Sequence, residues 1–229
     1  MTNTITLTAS DGAVFDAVTS GDPRNAKGCV IILQEIFGIN PHIRSLPARY
    51  AAAGYFAVAP ALFDRAERGV ELEYNADGKA RGIALKNAVD ANSLTDIAAT
   101  IAYAASQLLA GTPIGIVGFC WGGSLAWRSA VELDGLNAAV SYYGGELPTR
   151  KDAHARIPVL AHFGERDAGI PLDGVNEFIA AQSNADPAVT TYLYDADHGF
   201  NCDARAQFDA DAAAAAHDRT LAFLAEYLG

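Results

Sequence analysis

Short apolar runs alternate with amphipathic stretches along nearly the whole chain. In the first twenty residues, apolar and polar positions alternate on both sides of a turn at 10–12, which predicts two strands. The continuous apolar runs at 30–33 and 55–62 predict strands that are buried on both faces of a parallel sheet. Further strands are predicted from the runs at 114–119, 136–145, 157–167 and 189–200.

Several stretches between these runs have the spacing of helices. We expect one helix to end near Gly54 and another to begin near the capping sequence Ser93–Asp96. The alanine-rich end of the chain predicts a helix from about Ala206 to Leu228, with Phe208 among its core contacts. Residues 64–82 are charged and lack a clear period, and we interpret them as a variable loop or a lid.

This order of strands and helices predicts an α/β fold in one domain, residues 1–229. The central sheet should be mostly parallel, with helices on both faces. Binding and catalytic sites of such sheets form in the loops at the carboxyl ends of the strands. The polar residues that directly follow the apolar runs are therefore the candidates for chemistry.

Composition excludes some classes of function. The formal net charge of −11 disfavours a nucleic-acid partner, which would need a basic face. No apolar run approaches the length of a membrane span, and the first residues do not resemble a signal peptide. The three cysteines lack the spacing of a disulfide framework or a zinc site. We expect a cytoplasmic protein, monomeric or weakly homo-oligomeric, that holds no metal.

The segment GFCWGG at 118–123 places a cysteine between small residues, directly after an apolar run. This spacing is typical of a nucleophile elbow, in which the nucleophile occupies a strained turn between a strand and a helix. A position at a helix N-terminus favours the thiolate of Cys120, and the backbone amide of Trp121 would bind an oxyanion. The alternative is that Cys120 is a small packed residue.

A cysteine nucleophile needs a base, and the base needs an orienting group. Asp167 and His198 each follow a predicted strand, and the order nucleophile, acid, histidine is that of the α/β-hydrolase fold. Glu165 is a rival for the acid, and Asp167 taken alone is equally a helix cap. Together the three positions predict a catalytic triad.

Glu35 follows the apolar run at 30–33 after one further residue, Gln34. An ionisable group in this position is costly unless it is paired or used. In the α/β-hydrolase fold the loop after this strand supplies the second oxyanion amide, here that of Ile36. We therefore expect Glu35 to project beside the thiol.

With these residues identified, the chain resembles the dienelactone hydrolases, also called carboxymethylenebutenolidases. The segments that carry the resemblance are QEIFGIN, GFCWGG, AVSYYGG, GERDAGIP and DHGF, and they extend over nearly the whole chain. The resemblance implies the α/β-hydrolase fold and a triad of Cys120, Asp167 and His198. It also implies that Glu35 activates the thiol when a substrate binds, and it implies no cofactor.

Members of this family bind a substrate carboxylate with two arginines. Arg81 lies in the region of the first, with Lys79 as a rival, and Cys202 stands at the position of the second. Arg205 follows three residues later. Phe37 and Tyr143 are further candidates for the wall of the substrate pocket.

The sequence thus predicts a cysteine-dependent hydrolase of carboxylic esters or lactones, with or without a substrate carboxylate, that acts through a thioester. Two alternatives remain at this point. One is an acyltransferase or thioesterase that uses another acyl donor. The other is a non-catalytic module that binds a small ligand or senses oxidants through Cys120.

Overall fold

A single eight-stranded sheet organises the fold. The structure is a computed structural model and describes residues 2–229. The strand order is β1-β2-β4-β3-β5-β6-β7-β8, in which β2 runs antiparallel to its neighbours and β3 to β8 are mutually parallel. The strands are β1 (Thr2–Thr8), β2 (Val14–Ser20), β3 (Cys29–Leu33), β4 (Phe56–Pro60), β5 (Ile114–Phe119), β6 (Ala138–Tyr142), β7 (Val159–Gly164) and β8 (Val189–Tyr194).

Helices cover both faces of this sheet. The side chains of α3, α4 and α6 meet on one face, where the indole of Trp127 packs edge-on against Phe178. On the other face α1 and α7 meet through Tyr50 and His217. The helices are α1 (Pro41–Ala52), α2 (Ala76–Val89), α3 (Ser93–Gln107), α4 (Trp121–Glu132), α5 (Glu146–Thr149), α6 (Leu172–Gln182) and α7 (Ala210–Leu228). The fold class predicted from the sequence is confirmed.

Hydrophobic patterning explains where each strand lies. Every residue of β3 and β5 is buried, as expected for central strands whose two faces are covered by helices. The edge strands β1 and β8 alternate between exposed and more buried positions instead. The sequence-derived distinction between alternating and continuous apolar runs therefore marks the edge and the centre of the sheet.

The segment 64–82 differs from its prediction, because only part of it is a loop. A 3-10 helix occupies Leu62–Arg65, and α2 begins at Ala76 with the Asn75 side chain accepting a hydrogen bond from the Gly78 amide. The sequence of α2 shows no helical period of apolar residues, because its buried positions are only Gly78, Gly82 and Val89. Glycines take the place of the apolar residues that usually reveal a helix.

One helix start was predicted wrongly, and a second helix starts as expected but without the predicted cap. The helix at the end of the chain begins at Ala210, where the side chain of Asp209 caps it, and Phe208 precedes it with 41% of its surface exposed. Ser93 is the first residue of α3, but its hydroxyl donates to the Val89 carbonyl and does not cap the helix. No helix among residues 2–229 is long and apolar enough to cross a membrane.

The topology brings the candidate residues together. Cys120 follows β5, Tyr143 follows β6, Asp167 follows β7 by three residues and His198 follows β8 by four. Glu35 follows β3, the neighbour of β5 on the other side. Because β3 and β5 to β8 are parallel, all five residues lie at one edge of the sheet.

Candidate active site

Cys120 occupies a sharp turn between β5 and α4. Its backbone has φ 55° and ψ −115°, a strained conformation for a residue with a side chain. The Cys120 amide donates to the Tyr142 carbonyl at 2.9 Å, which ties the turn to the neighbouring strand. The geometry is that of the nucleophile elbow predicted from the sequence.

The glycines around Cys120 are required by close backbone contacts. A Cβ on Gly118 would lie 1.9 Å from the Gly122 carbonyl oxygen, and one on Gly122 would lie 2.5 Å from that of Leu33. No side chain fits at either position without displacing backbone. The small residues of the motif thus let α4 approach β5 and β3 closely enough to form the turn.

The triad side chains form a continuous chain of contacts. The His198 Nε2 lies 3.2 Å from the Cys120 sulfur, and the His198 Nδ1 lies 2.6 Å from Asp167 Oδ2. Asp167 is 4% exposed, and its other oxygen accepts hydrogen bonds from the amides of Gly169 and Ile170. Glu165, the rival acid, is exposed to solvent. Asp167 is therefore the acid that contacts the histidine.

These contacts change the pKa of His198. Burial alone would lower it, but the hydrogen bonds to Asp167 and to the Cys120 sulfur outweigh burial and raise the pKa to about 10. The imidazole is therefore protonated at neutral pH. Its Nε2 lies 3.2 Å from the Cys120 sulfur, within reach to exchange a proton with a group bound there.

The other carboxylate, Glu35, is fully buried. Its Oε1 lies 3.4 Å from Nη1 of Arg205, whose side chain is 12% exposed, while Oε2 has no hydrogen-bond partner. The Arg205 guanidinium lies over the rings of Phe37 and Tyr74, with centroids 5.2 and 4.9 Å away. Glu35 thus contacts Arg205, a residue of the cavity wall at Cys120, and Arg205 is its ionic partner in this structure.

Tyr143 closes the site from the β6 side. Its φ is 40°, its side chain is fully buried, and its ring centroid lies 5.0 Å from that of His198. The hydroxyl has no hydrogen-bond partner. Burial, followed by the charge of Glu35, raises the pKa of Tyr143 well above its usual value, so the phenol keeps its proton.

Comparison with known proteins decides the family. The model of the dienelactone hydrolase family matches residues 15–228. The chain belongs to this family. It is 32% identical to the carboxymethylenebutenolidase of Pseudomonas putida over 98% of this chain and 97% of that protein. It is 30% identical to the carboxymethylenebutenolidase of Pseudomonas sp. strain P51, over 98% and 95%.

Solved structures agree with this assignment. A Klebsiella pneumoniae protein assigned as a dienelactone hydrolase superposes with a TM-score of 0.84 at 32% identity, covering 99% of this chain and 100% of that one. An esterase from Pyrococcus furiosus shares the fold, with a TM-score of 0.75 at 14% identity over 100% of this chain and 92% of that one. As a member of the dienelactone hydrolase family, the protein is a carboxylic ester hydrolase.

The cations near the triad differ from those expected from the sequence. Arg81 points away from the triad, because it pairs with Glu67 at 2.5 Å and more than half of its side chain is exposed. Lys79, its rival, lines the cavity at Cys120 together with Arg205. The structure therefore does not bring Arg81 to the site, and Arg205 and Lys79 are the cations found there.

Sequence reasoning left Arg205 unassigned because it lies seven residues after His198 instead of four. Gly199 could have indicated that the chain turns after His198 and brings Arg205 to the site. Its φ is +83°, and a Cβ there would lie 1.9 Å from the Arg205 guanidinium. The glycine of the DHGF segment thus makes the turn and leaves room for Arg205. Tyr74 was missed entirely, because it belongs to the segment that we interpreted as a variable loop.

The two residues expected to supply the oxyanion amides line a cavity together with Cys120. Trp121 is the first residue of α4, so its amide has no acceptor within the helix. Its indole donates to Asp90 at 2.7 Å and stacks on Phe63, which fixes the side chain. Ile36 borders the cavity at Cys120. The carbonyl oxygen of Ile36 lies close to α2, where a Cβ on Gly82 would come within 1.9 Å of it.

One group of side chains in residues 2–229 has the spacing of metal ligands. His42, Cys202 and Asp203 bring their ligand atoms within 4.8 Å of one another. The Asp203 carboxylate is half exposed and already pairs with His42 and Arg49. The group lies outside the triad, and the chemistry of the triad does not use it.

The contact between Gly82 and Ile36 generates a first prediction. We expect Gly82→Ala to displace the Ile36 backbone and to lower kcat at least tenfold, because an oxyanion donor that moves stabilises the transition state less. Steady-state kinetics would measure this. Ala80→Gly on the exposed side of α2 is the control for helix propensity and should leave kcat within about twofold. Equal kcat values for Gly82→Ala and the wild type would contradict the prediction.

The contact between Asp167 and His198 generates a second prediction. We expect Asp167→Asn to lower the pKa of His198 from about 10, because burial is then opposed by the Cys120 sulfur alone. We expect kcat to fall by about 10³-fold or more, since Asp167 also holds the imidazole tautomer. An NMR titration of the His198 ring and steady-state kinetics would check both. An unchanged His198 titration would contradict the role given to Asp167.

Proposed function

We propose that this protein is a cysteine-dependent hydrolase of small carboxylic esters and lactones that acts through a thioester on Cys120. The observation that carries the proposal is the chain of contacts from the Cys120 sulfur through His198 to Asp167, at 3.2 and 2.6 Å. The two curated relatives that are carboxymethylenebutenolidases by name support the class of substrate.

The first half-reaction forms the thioester. The Cys120 thiolate attacks the carbonyl carbon, and the backbone amides of Ile36 and Trp121 stabilise the oxyanion. As the tetrahedral intermediate collapses, the bond from carbon to the leaving oxygen breaks. The His198 imidazolium donates its Nε2 proton to that oxygen, so the alcohol or enol leaves neutral.

The second half-reaction releases the acid. His198, now neutral, takes a proton from a water molecule that attacks the thioester carbonyl. The bond from carbon to sulfur then breaks, and Cys120 leaves as a thiolate beside a protonated His198. The thiolate takes back the proton that Glu35 accepted at the start, which restores the resting enzyme. Asp167 stays ionised throughout and stabilises the imidazolium.

Glu35 contributes to the activation of the thiol in this proposal. Arg205 holds one oxygen of Glu35 at 3.4 Å, a long contact for a charge-assisted hydrogen bond, and the other oxygen has no partner. A substrate carboxylate that bound Arg205 would compete for the guanidinium and free Glu35 to accept the proton of a neutral Cys120 thiol. Activation would then follow substrate binding, as the family resemblance implies.

The cations on the cavity wall favour a substrate that carries an anionic group. Lys79 forms no ion pair among residues 2–229, and Arg205 is the other cation on the same cavity wall. Both lie near the triad and can accept a carboxylate, although the chain as a whole carries a net charge of −11. The three cysteines are free, in line with the cytoplasmic setting that we propose.

The test of this proposal is the removal of the thiol. We expect Cys120→Ala to reduce kcat for lactones and activated esters by about 10³-fold or more, because no nucleophile is left. Cys29→Ala is the matched control. It removes a buried thiol from β3 at the end away from the triad and should keep kcat within about twofold. Thermal unfolding of both variants would confirm that they fold.

Two outcomes would overturn the proposal. Substantial hydrolysis by folded Cys120→Ala would exclude Cys120 as the nucleophile. A wild-type protein that oxidises at Cys120 but hydrolyses none of a panel of lactones and esters would favour the sensing alternative. Preferential transfer of the acyl group to an added amine would identify an acyltransferase.

A further inference from the structure

Cys120 borders two cavities and not one. The first, of about 630 Å³, also contacts Lys79, Asp197, His198 and Arg205, and we call it the polar lobe. The second has a volume of about 400 Å³ and lies between α2 and the segment that carries α5. We call it the apolar lobe. Both lobes share Ile36, Cys120, Gly169 and His198 on their walls, so a bound ester would have one arm on each side of the sulfur.

The wall of the apolar lobe offers few free polar groups. Two of its three hydroxyls are engaged within the protein, because Ser124 accepts from the Glu146 amide and Thr149 donates to the Glu146 carbonyl. The third, that of Tyr143, is buried and has no hydrogen-bond partner among residues 2–229. The lobe's two charged residues, Lys86 and Glu146, have opposite signs and leave it without net charge. The rest of its wall beyond the shared residues is formed by Ile83, Trp121, Tyr143, Gly145 and Ile170. A neutral, apolar group fits this lining better than an anion does.

Ile83 is the least expected residue of this wall. It lies on the exposed side of α2 with 42% of its surface accessible, and it is one of five exposed large apolar residues among residues 2–229. An isolated exposed isoleucine needs no explanation, but this one borders the cavity at the nucleophile. Its exposed surface is what a bound apolar group would cover.

The chemistry assigns different arms of the ester to the two lobes. His198 must protonate the leaving oxygen and later deprotonate water at the same place. The polar lobe contains Asp197 and the loop 204–207, which continue the segment that carries His198, so it suits the leaving arm and then water. The acyl arm stays attached to sulfur between the two steps. If the apolar lobe holds the acyl arm, the arm stays in place while water enters the polar lobe and reaches the thioester.

We propose that the apolar lobe is an acyl-binding subsite and that the enzyme prefers esters of neutral aliphatic acids several carbons long. This inference rests on the proposed hydrolysis at Cys120 and adds a substrate class to it. The neutral acyl arm is distinct from the anionic group considered above. The polar lobe would hold that anionic group on the leaving arm of the ester. The residue that most directly determines the preference is Ile83.

The test uses two series of esters. In the first, 4-nitrophenyl acetate, butyrate and hexanoate vary the acyl arm with the leaving group fixed. We expect kcat/KM to rise about two- to fourfold per added methylene, because each one loses contact with water in the lobe. In the second, methyl, butyl and hexyl acetate vary the leaving arm, and we expect a much weaker dependence on length.

Variants locate the effect. Ile83→Asp places a charge on the wall of the apolar lobe and should lower kcat/KM for the hexanoate at least tenfold while changing the acetate less than threefold. If the aspartate variant folds poorly, Ile83→Ala replaces it. Ile83→Ala should show the same pattern, with a smaller decrease in kcat/KM for the hexanoate. Leu109→Asp is the matched control, because Leu109 is 64% exposed after α3 and borders neither lobe. It should behave as the wild type.

The outcomes separate this inference from the proposed function. Hydrolysis that depends on Cys120 but not on acyl length, or an Ile83→Asp variant that loses acetate and hexanoate activity equally, would overturn the acyl subsite alone. A stronger dependence on the leaving arm than on the acyl arm would also overturn it. Hydrolysis that persists in Cys120→Ala would instead overturn the proposed function.

Discussion

The site depends on the strained backbone of Cys120. Cys120 has a positive φ in the one-residue turn that joins β5 to α4, and such a conformation costs on the order of 1–3 kcal/mol. The strain is maintained because the glycines at 118 and 122 let α4 lie directly against the strands. In return the sulfur projects at the carboxyl edge of the sheet, and the first amides of α4 are left without acceptors within the helix. The triad contacts and both cavities follow from that position.

Charge at the site is distributed over two pairs with different properties. Asp167 and His198 are joined by a short contact, and two backbone amides satisfy the second oxygen of Asp167. Glu35 and Arg205 are joined by a long one, and the second oxygen of Glu35 is unsatisfied. A buried carboxylate with an open oxygen is costly and ready to change partner. The first pair is fixed by these contacts, and in the function proposed above the second would respond to a bound anion.

Much of this architecture could be predicted from the sequence because its signals are local. Continuous apolar runs identify central strands, and the residues that follow them must meet at one edge of a parallel sheet. Cys120, Asp167, His198 and Glu35 were found in this way. Glycines at fixed offsets from Cys120 added specificity, because few backbone geometries require them.

The features that could not be predicted depend on contacts between residues that are far apart in the sequence. Helix α2 escaped detection because glycines occupy its buried face, so Tyr74, Lys79 and Ile83 could not be placed. Arg205 reaches the site through the turn at Gly199, and no spacing rule predicts where a long side chain will end. Arg81 was expected at the site from the sequence, but its exposed ion pair with Glu67 directs the side chain away from it. Side chains on loops and on polar helices are placed by tertiary packing, which periodicity does not report.

The most direct test of the account is the identity of the covalent intermediate. The wild-type protein is mixed with an activated ester, quenched rapidly in acid and analysed by intact mass and peptide mapping. The account predicts a mass increase of one acyl group, located on the peptide that contains Cys120 and reversed by hydroxylamine. Steady turnover with no acyl group on that peptide, or with the acyl group on another residue, would contradict it.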